Sequence, residues 1–134
     1  MTLVDTNVIM YAGGSAHPCQ GPAVAFLDRV AAGAVSAAID AELLQELLHR
    51  YRSLGRWDLG LRVYEITRHI FQSVLPVTGE VLDAARQLLD QDAALMTRDA
   101  VHAGVVRIYG LDSICSFDRD FDRIPGIYRI EPGA

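Results

Sequence analysis

Met1-Thr2-Leu3-Val4-Asp5-Thr6-Asn7 opens the chain. It is a short apolar run that ends on a carboxylate and turns at once into residues that can start a helix. Residues 2–5 read as a β-strand buried on both faces, near the centre of a sheet. Open parallel sheets hold their ligands outside the carboxyl ends of their strands, which is where Asp5 would stand. An acid directly ending a buried strand is costly unless it is paired. Three further places in the chain could bring acids to the same edge: Glu46, Asp99, and Asp118 with Asp120.

Moving outward from that strand, Thr6 or Asn7 can cap a short helix through Val8-Ile9-Met10-Tyr11, which Gly13-Gly14-Ser15 breaks. After a loop from His17 to Pro22, residues 23–32 have helical spacing and Gly33 ends them. Residues 34–39 are a second strand. Asp40 then looks like the N-cap of a helix whose apolar face is Leu43, Leu44, Leu47, Leu48 and Tyr51. Glu42, Glu46, His49 and Arg50 lie away from the centre of that stripe. Gly55 separates it from an amphipathic helix over 57–71, so that 41–71 forms an α-hairpin whose apolar residues, with Trp57 and Tyr64, either offer a partner surface or belong to the core. Residues 73–77 are a short strand, with Pro76 suited to a sheet edge. Thr78 caps the next helix, and Thr97 caps the one after it, with Asp99 in its first turn and Gly110 at its end. Residues 112–116 are a third clear strand, and 127–130 add a last one. Strands alternating with helices imply a parallel sheet covered on both faces. The expectation is one α/β domain over residues 1–134: a three-layer α/β/α fold with a central, mostly parallel sheet of four to five strands.

Composition agrees with a compact domain. At 134 residues the chain can bury a normal core without staples, and 51% of its residues are apolar against 22% charged. No run approaches the roughly 20 apolar residues of a transmembrane helix, and no basic region precedes the apolar start as in a secretory signal. Cys19 and Cys115 are far apart, form no CxxC, and ask for no disulfide. The expected location is the cytoplasm. The formal net charge of −5 at first argues against a nucleic-acid partner. The distribution matters more: every cation is arginine, with Arg50, Arg52, Arg56 and Arg62 close together and Arg119 and Arg123 beside the last acids. Arginine's planar fork suits bidentate phosphate contacts, although a genome that uses Arg in place of Lys throughout would leave the same composition.

If the sheet is parallel, Asp5, Glu46, Asp99 and Asp118 all converge on its carboxyl edge. Two unit charges at 4 Å repel by roughly 4 kcal/mol at an effective dielectric near 20, so such a pocket calls for a cation or for protons. A hard divalent ion fits: Mg²⁺ takes oxygen ligands and is often held by one or two carboxylates plus phosphate. Singly, each acid also has an ordinary role. Asp99 in a first helical turn favours the helix dipole. Glu46 precedes Arg50 by four residues, as in a solvent-exposed pair, and Asp118 and Asp120 suit a turn. His102 follows Asp99 by three residues and is either a ligand or, as is commoner for a single helical histidine, packed and hydrogen-bonded. The chain carries no HExxH, no Cys/His zinc cluster, no GxSxG and no P-loop.

Four blocks now stand in order: Val4-Asp5-Thr6-Asn7, Leu44-Gln45-Glu46-Leu47-Leu48-His49-Arg50-Tyr51, Arg98-Asp99-Ala100-Val101-His102-Ala103 and Ser116-Phe117-Asp118-Arg119-Asp120-Phe121-Asp122. Together they resemble the characteristic blocks of PIN domains, and more narrowly the VapC toxins of toxin–antitoxin pairs, over nearly the whole chain. The resemblance implies a Mg²⁺- or Mn²⁺-dependent endoribonuclease. Asp5 and Asp99 would be its main metal ligands, and Glu46 and Asp118 would complete the acidic pocket. Thr6 or Asn7, and Ser116, would orient ligands and water. Glu42 competes with Glu46, and Asp120 with Asp118. It also implies a homodimer silenced by a VapB-like antitoxin, and a structured RNA substrate such as tRNA or rRNA. Two other classes share parts of this pattern. Phosphoacceptor receivers and haloacid-dehalogenase-like phosphatases also place acids at strand ends, but their sites use a lysine, which this chain lacks. A PIN-like module that binds RNA or protein without cutting is the other.

Overall fold

The computed structural model describes residues 1–133. Strands β1 (Thr2–Val4), β2 (Ala37–Asp40), β3 (Val74–Leu75), β4 (Ser113–Cys115) and β5 (Arg129–Ile130) form one sheet in the order β3-β2-β1-β4-β5, with every pairing parallel. The expected α/β/α sheet of four to five strands is thus a five-stranded one with the opening strand at its centre. Helices α1 (Thr6–Gly13), α2 (Gln20–Ala31), α3 (Ala41–Ser53), α4 (Trp57–Ile70), α5 (Gly79–Gln91) and α6 (Thr97–Tyr109) connect the strands. Among the described residues, no helix is long and apolar enough to cross a membrane.

The period-two alternation of β1 divides the core. Leu3 and Ile114 face a cluster with Val81, Ala85, Leu88, Val105 and Phe121, while Val4 and Cys115 face one with Val8, Phe26, Ile39, Leu43 and Leu47. Sheet faces covered by helices on both sides account for the nearly unbroken apolar strands. Two glycines permit close helix crossings. A Cβ on Gly60 would overlap the Tyr51 side chain where α4 crosses α3, and one on Gly104 would come within 2.7 Å of the Val81 carbonyl where α6 crosses α5.

Element boundaries differ from the sequence expectation where backbone capping competes with the ladder. The second strand begins at Ala37 rather than Ala34, because Gly33 (φ 78°) and Ala34 close α2: their N–H groups donate to Val30 and Arg29 at 3.0 and 2.9 Å. The first helix is capped by Asp5 itself, whose carboxylate accepts from Thr6 N, rather than by Thr6 or Asn7. Asp40 and Thr78 cap α3 and α5 as expected. Thr97 does not cap α6; it is the first helical residue, after Met96. The strand expected over 73–77 shrinks to Val74–Leu75 at the sheet edge, ending before Pro76, which lacks the N–H a ladder needs.

Candidate active site

Parallel register brings three strand ends abreast. Val4 pairs with Cys115, and Leu3 with Ala38, so Asp5, Ser116 and Asp40 follow on adjacent central strands at the carboxyl edge. Asp5 is buried there and fully engaged. Its Oδ1 accepts from Thr6 N at 2.7 Å and its Oδ2 from Ser116 Oγ at 2.6 Å. Ser116 Oγ in turn accepts from Asn7 Nδ2 at 3.1 Å and from the Asp118 N–H at 2.9 Å. One hydroxyl thus ties the end of β1 to the loop that carries Asp118. Asp118 Oδ1 accepts from Asp120 N at 2.9 Å and starts the 3-10 turn Arg119–Arg123.

A cavity of about 350 Å³ opens at this edge, and Asp5, Glu46, Asp99 and Asp118 all line it, together with Thr6, Asn7, Arg50 and Arg98. The four sequence-selected acids therefore meet. Between the competing positions, Glu46 lines the cavity and Glu42 does not. Asp118 lines it as well, while Asp120 is drawn to Arg123 at 2.7 Å. Asp120 nonetheless joins Asp99 and Asp118 in a cluster that offers three carboxylate oxygens within 4.8 Å of one another, a donor set of the kind that suits a hard cation.

Glu46 is not the exposed partner of Arg50. It is buried, and its Oε1 lies 3.0 Å from His102 Nε2, with Oε2 3.9 Å from Arg98 Nε. His102, fully buried on α6, places its Nδ1 2.7 Å from Asp40 Oδ2. Asp40 meanwhile accepts from Leu43 N with its other oxygen, at 2.9 Å. His102 Nε2 also lies 3.6 Å from Asp5 Oδ1 and 3.4 Å from Thr6 Oγ1. Of the two roles open to His102, the packed and hydrogen-bonded one is what the structure contains. Sequence reasoning missed its partnership with Asp40. The available signal was a second acid at a strand end, there read as a helix cap alone.

Electrostatics follow from this crowding. Burial alone would push the His102 imidazole down, but the Asp40 carboxylate and its hydrogen bond, then Glu46 and Asp5, hold it well above its ordinary value. An imidazole held above its ordinary value keeps its second proton, so both ring nitrogens donate and His102 is a built-in cation behind the acids. Asp99 is pushed up to about 7 by burial and by the Asp5 and Asp118 charges, with His102 and Arg98 offsetting part of the rise. Burial raises Asp5 too, opposed by His102 and Ser116 and reinforced by Glu46. One internal imidazolium does not balance the pocket, and Asp99 retains an unmet demand for positive charge.

Comparison with known proteins agrees with this geometry. The family model for the PIN domain matches residues 2–127. Ribonuclease VapC13 of Mycobacterium tuberculosis is 35% identical over 130 residues, covering 97% of this chain and 99% of its own. Ribonuclease VapC23 of the same species is 33% identical over 118 residues, covering 88% and 93%. Among solved structures, VapBC2 from Rickettsia felis, bound to a promoter DNA fragment, superposes with a TM-score of 0.76 at 18% identity, over 97% of both chains. The fold, the order of the four acidic blocks and the relatives at 35% identity agree, and the chain belongs to the PIN-domain family, among its VapC members.

Proposed function

We propose that this protein is a divalent-metal-dependent endoribonuclease, acting in the cytoplasm as the toxin of a VapBC-like pair. The observation that carries the reading is the convergence of Asp5, Glu46, Asp99 and Asp118 on one cavity from four separate elements. It is supported by relatives named as ribonucleases over nearly the whole chain. The all-oxygen donor set fits Mg²⁺ or Mn²⁺, and the high Asp99 value marks where the positive charge is needed. Asp99 and Asp118 would hold the ion, with Asp5 facing them. When bound, such an ion supplies a Lewis acid that offsets phosphoryl charge and lowers the pKa of water.

The chain's own residues do the remaining work. Ser116 and Thr6 fix the Asp5 carboxylate, so it need not reorganise when substrate arrives. His102 and Arg98 fix Glu46 at the wall of the cavity. Arg50 and Arg98 line the same cavity and would hold the RNA backbone, neutralising phosphate that the acids would otherwise repel. Structured RNA, tRNA or rRNA, is the proposed substrate; a structural neighbour from Mycobacterium tuberculosis, VapC20, is described as a sarcin-ricin loop cleaving toxin. A VapB-like antitoxin and a homodimeric state complete the reading. For the antitoxin, α4 exposes Leu61 and Ile66, the latter beside a groove lined by Ile9, Leu27, Val63 and Ile70, a face within reach of an amphipathic segment.

Cleavage of total cellular RNA by antitoxin-free protein tests the proposal, with Mg²⁺ or Mn²⁺ against EDTA and new 5′ ends mapped by sequencing. Discrete metal-dependent ends are expected, and Asp5→Ala should remove them. Folded protein that produces no ends under any metal would favour a module that binds without cutting.

A further inference from the structure

The cavity has a second wall that no acid explains. Tyr11, at the end of α1, and His17, in the loop before α2, both line it. Their rings stack with centroids 4.6 Å apart at 29°. Phe117, the residue before Asp118, meets Tyr11 edge-on at 5.3 Å and 84°, so the pair is braced against the strand end that carries an acid. The loop is held as well: Cys19 N donates to His17 Nδ1 at 3.0 Å, and Gln20 Nε2 donates to the Gly14 carbonyl at 2.9 Å. Tyr11 is half-buried and packs against the core on one side, whereas His17, stacked on it, is exposed. Arg50 and Arg98 line the same cavity. One pocket thus combines an acidic floor, guanidinium groups for phosphate, and an aromatic stack whose outer ring, His17, is exposed.

We propose that Tyr11 and His17 form a base-stacking shelf that takes an unpaired nucleobase adjoining the phosphate to be cut. The inference rests on the ribonuclease reading above and adds the side chains that would hold the base beside the cut. Protein aromatic rings recognise RNA by stacking on splayed single-stranded bases, because bases inside a helix have their faces covered by their stacked neighbours. The Nδ1 atom of His17 is occupied as an acceptor, which leaves Nε2–H as a donor for a base edge or phosphate.

The test uses a 12-nucleotide single-stranded RNA with 2-aminopurine at its centre, the same strand annealed into a duplex, and the full-length protein carrying Asp99→Asn in EDTA so that nothing is cut. Binding should quench 2-aminopurine fluorescence in the single strand and not in the duplex. Adding Tyr11→Ala or His17→Ala should abolish the quenching and weaken binding by roughly 5- to 150-fold, the range for loss of one stacked base. Tyr11→Phe should retain both, and His17→Ala, at an exposed position, guards against a folding defect at Tyr11. Binding without quenching, or unchanged affinity in both alanine variants, would overturn the shelf and leave the ribonuclease reading standing. Failure of the parent to bind the single strand would also overturn the shelf; if the unmutated protein in addition cleaves no RNA in Mg²⁺ or Mn²⁺, the ribonuclease reading falls with it.

Discussion

Replacing Asp99 by asparagine should stabilise the metal-free protein while removing its response to metal. Asp99 has a carboxyl pushed from 3.8 to about 7 by burial and by Asp5 and Asp118. Below about pH 3.8 it is neutral in both the folded and unfolded chain. Between 3.8 and 7 the unfolded chain loses the proton while the folded chain keeps it, so stability falls as pH rises, and the full loss is reached above about 7. A shift of about three pH units corresponds to roughly 4 kcal/mol at the upper limit, at 1.36 kcal/mol per unit. Asp99 is only 5% exposed, but it lines an open cavity where water screens the charges, so about 2 kcal/mol is the working figure. Asparagine keeps the shape and never ionises. In EDTA at pH 8, urea unfolding of Asp99→Asn should show about 2 kcal/mol more stability than the parent. At pH 4 the two should nearly coincide. Asp5, raised in the same direction, will leave the variant with some residual slope. Saturating Mg²⁺ or Mn²⁺ should raise the parent's melting temperature and barely move the variant's. A variant no more stable than the parent at pH 8, or one still stabilised by metal, would refute the argument that Asp99 carries the unmet charge.

Other substitutions probe neighbouring parts of the same arrangement. His102→Leu removes the buried cation between Asp40 and Glu46 and should cost on the order of 3–5 kcal/mol in chemical denaturation; a near-neutral result would mean the two carboxylates find other partners. Gly60→Ala forces a Cβ into Tyr51 and should destabilise by about 1–3 kcal/mol, read as a lower denaturation midpoint with unchanged m-value. Ile66→Glu alters a residue 60% exposed, so folding should change by no more than about 0.5 kcal/mol. RNA cleavage by the free protein should persist, while a pulldown with the antitoxin should weaken; an unchanged complex would remove the α4 face from that interface. Asp118→Asn should reduce metal-dependent cleavage more than Asp120→Asn, because Asp118 lines the cavity and Asp120 is paired with Arg123; the reverse order, in parallel cleavage assays, would exchange their roles.

Local chemistry accounts for what was legible in the amino-acid sequence alone. The element order, the strand that ends on Asp5, the caps at Asp40 and Thr78, and the four acidic blocks are all encoded within a few residues of themselves. Hydrophobic period, cap side chains and glycine stops act at that range. Where a neighbour's cap competed for the same residues, as Gly33 and Ala34 did with the second strand, local reading overran the boundary. The parallel frame then predicted which edge would collect the acids. What each acid does at that edge required the tertiary structure. Glu46 has the spacing of a surface pair with Arg50, yet it turns inward because His102, 56 residues away, offers a buried partner. Asp40 reads as a cap and is one, but its second oxygen holds that same histidine across 62 residues. Tyr11, His17 and Phe117 show no common pattern along the chain and form one cluster only once β4 lies beside β1. The reason is physical: a buried charge is tolerable only with a partner, and partners across a sheet edge are selected by strand order and register, which no local propensity specifies.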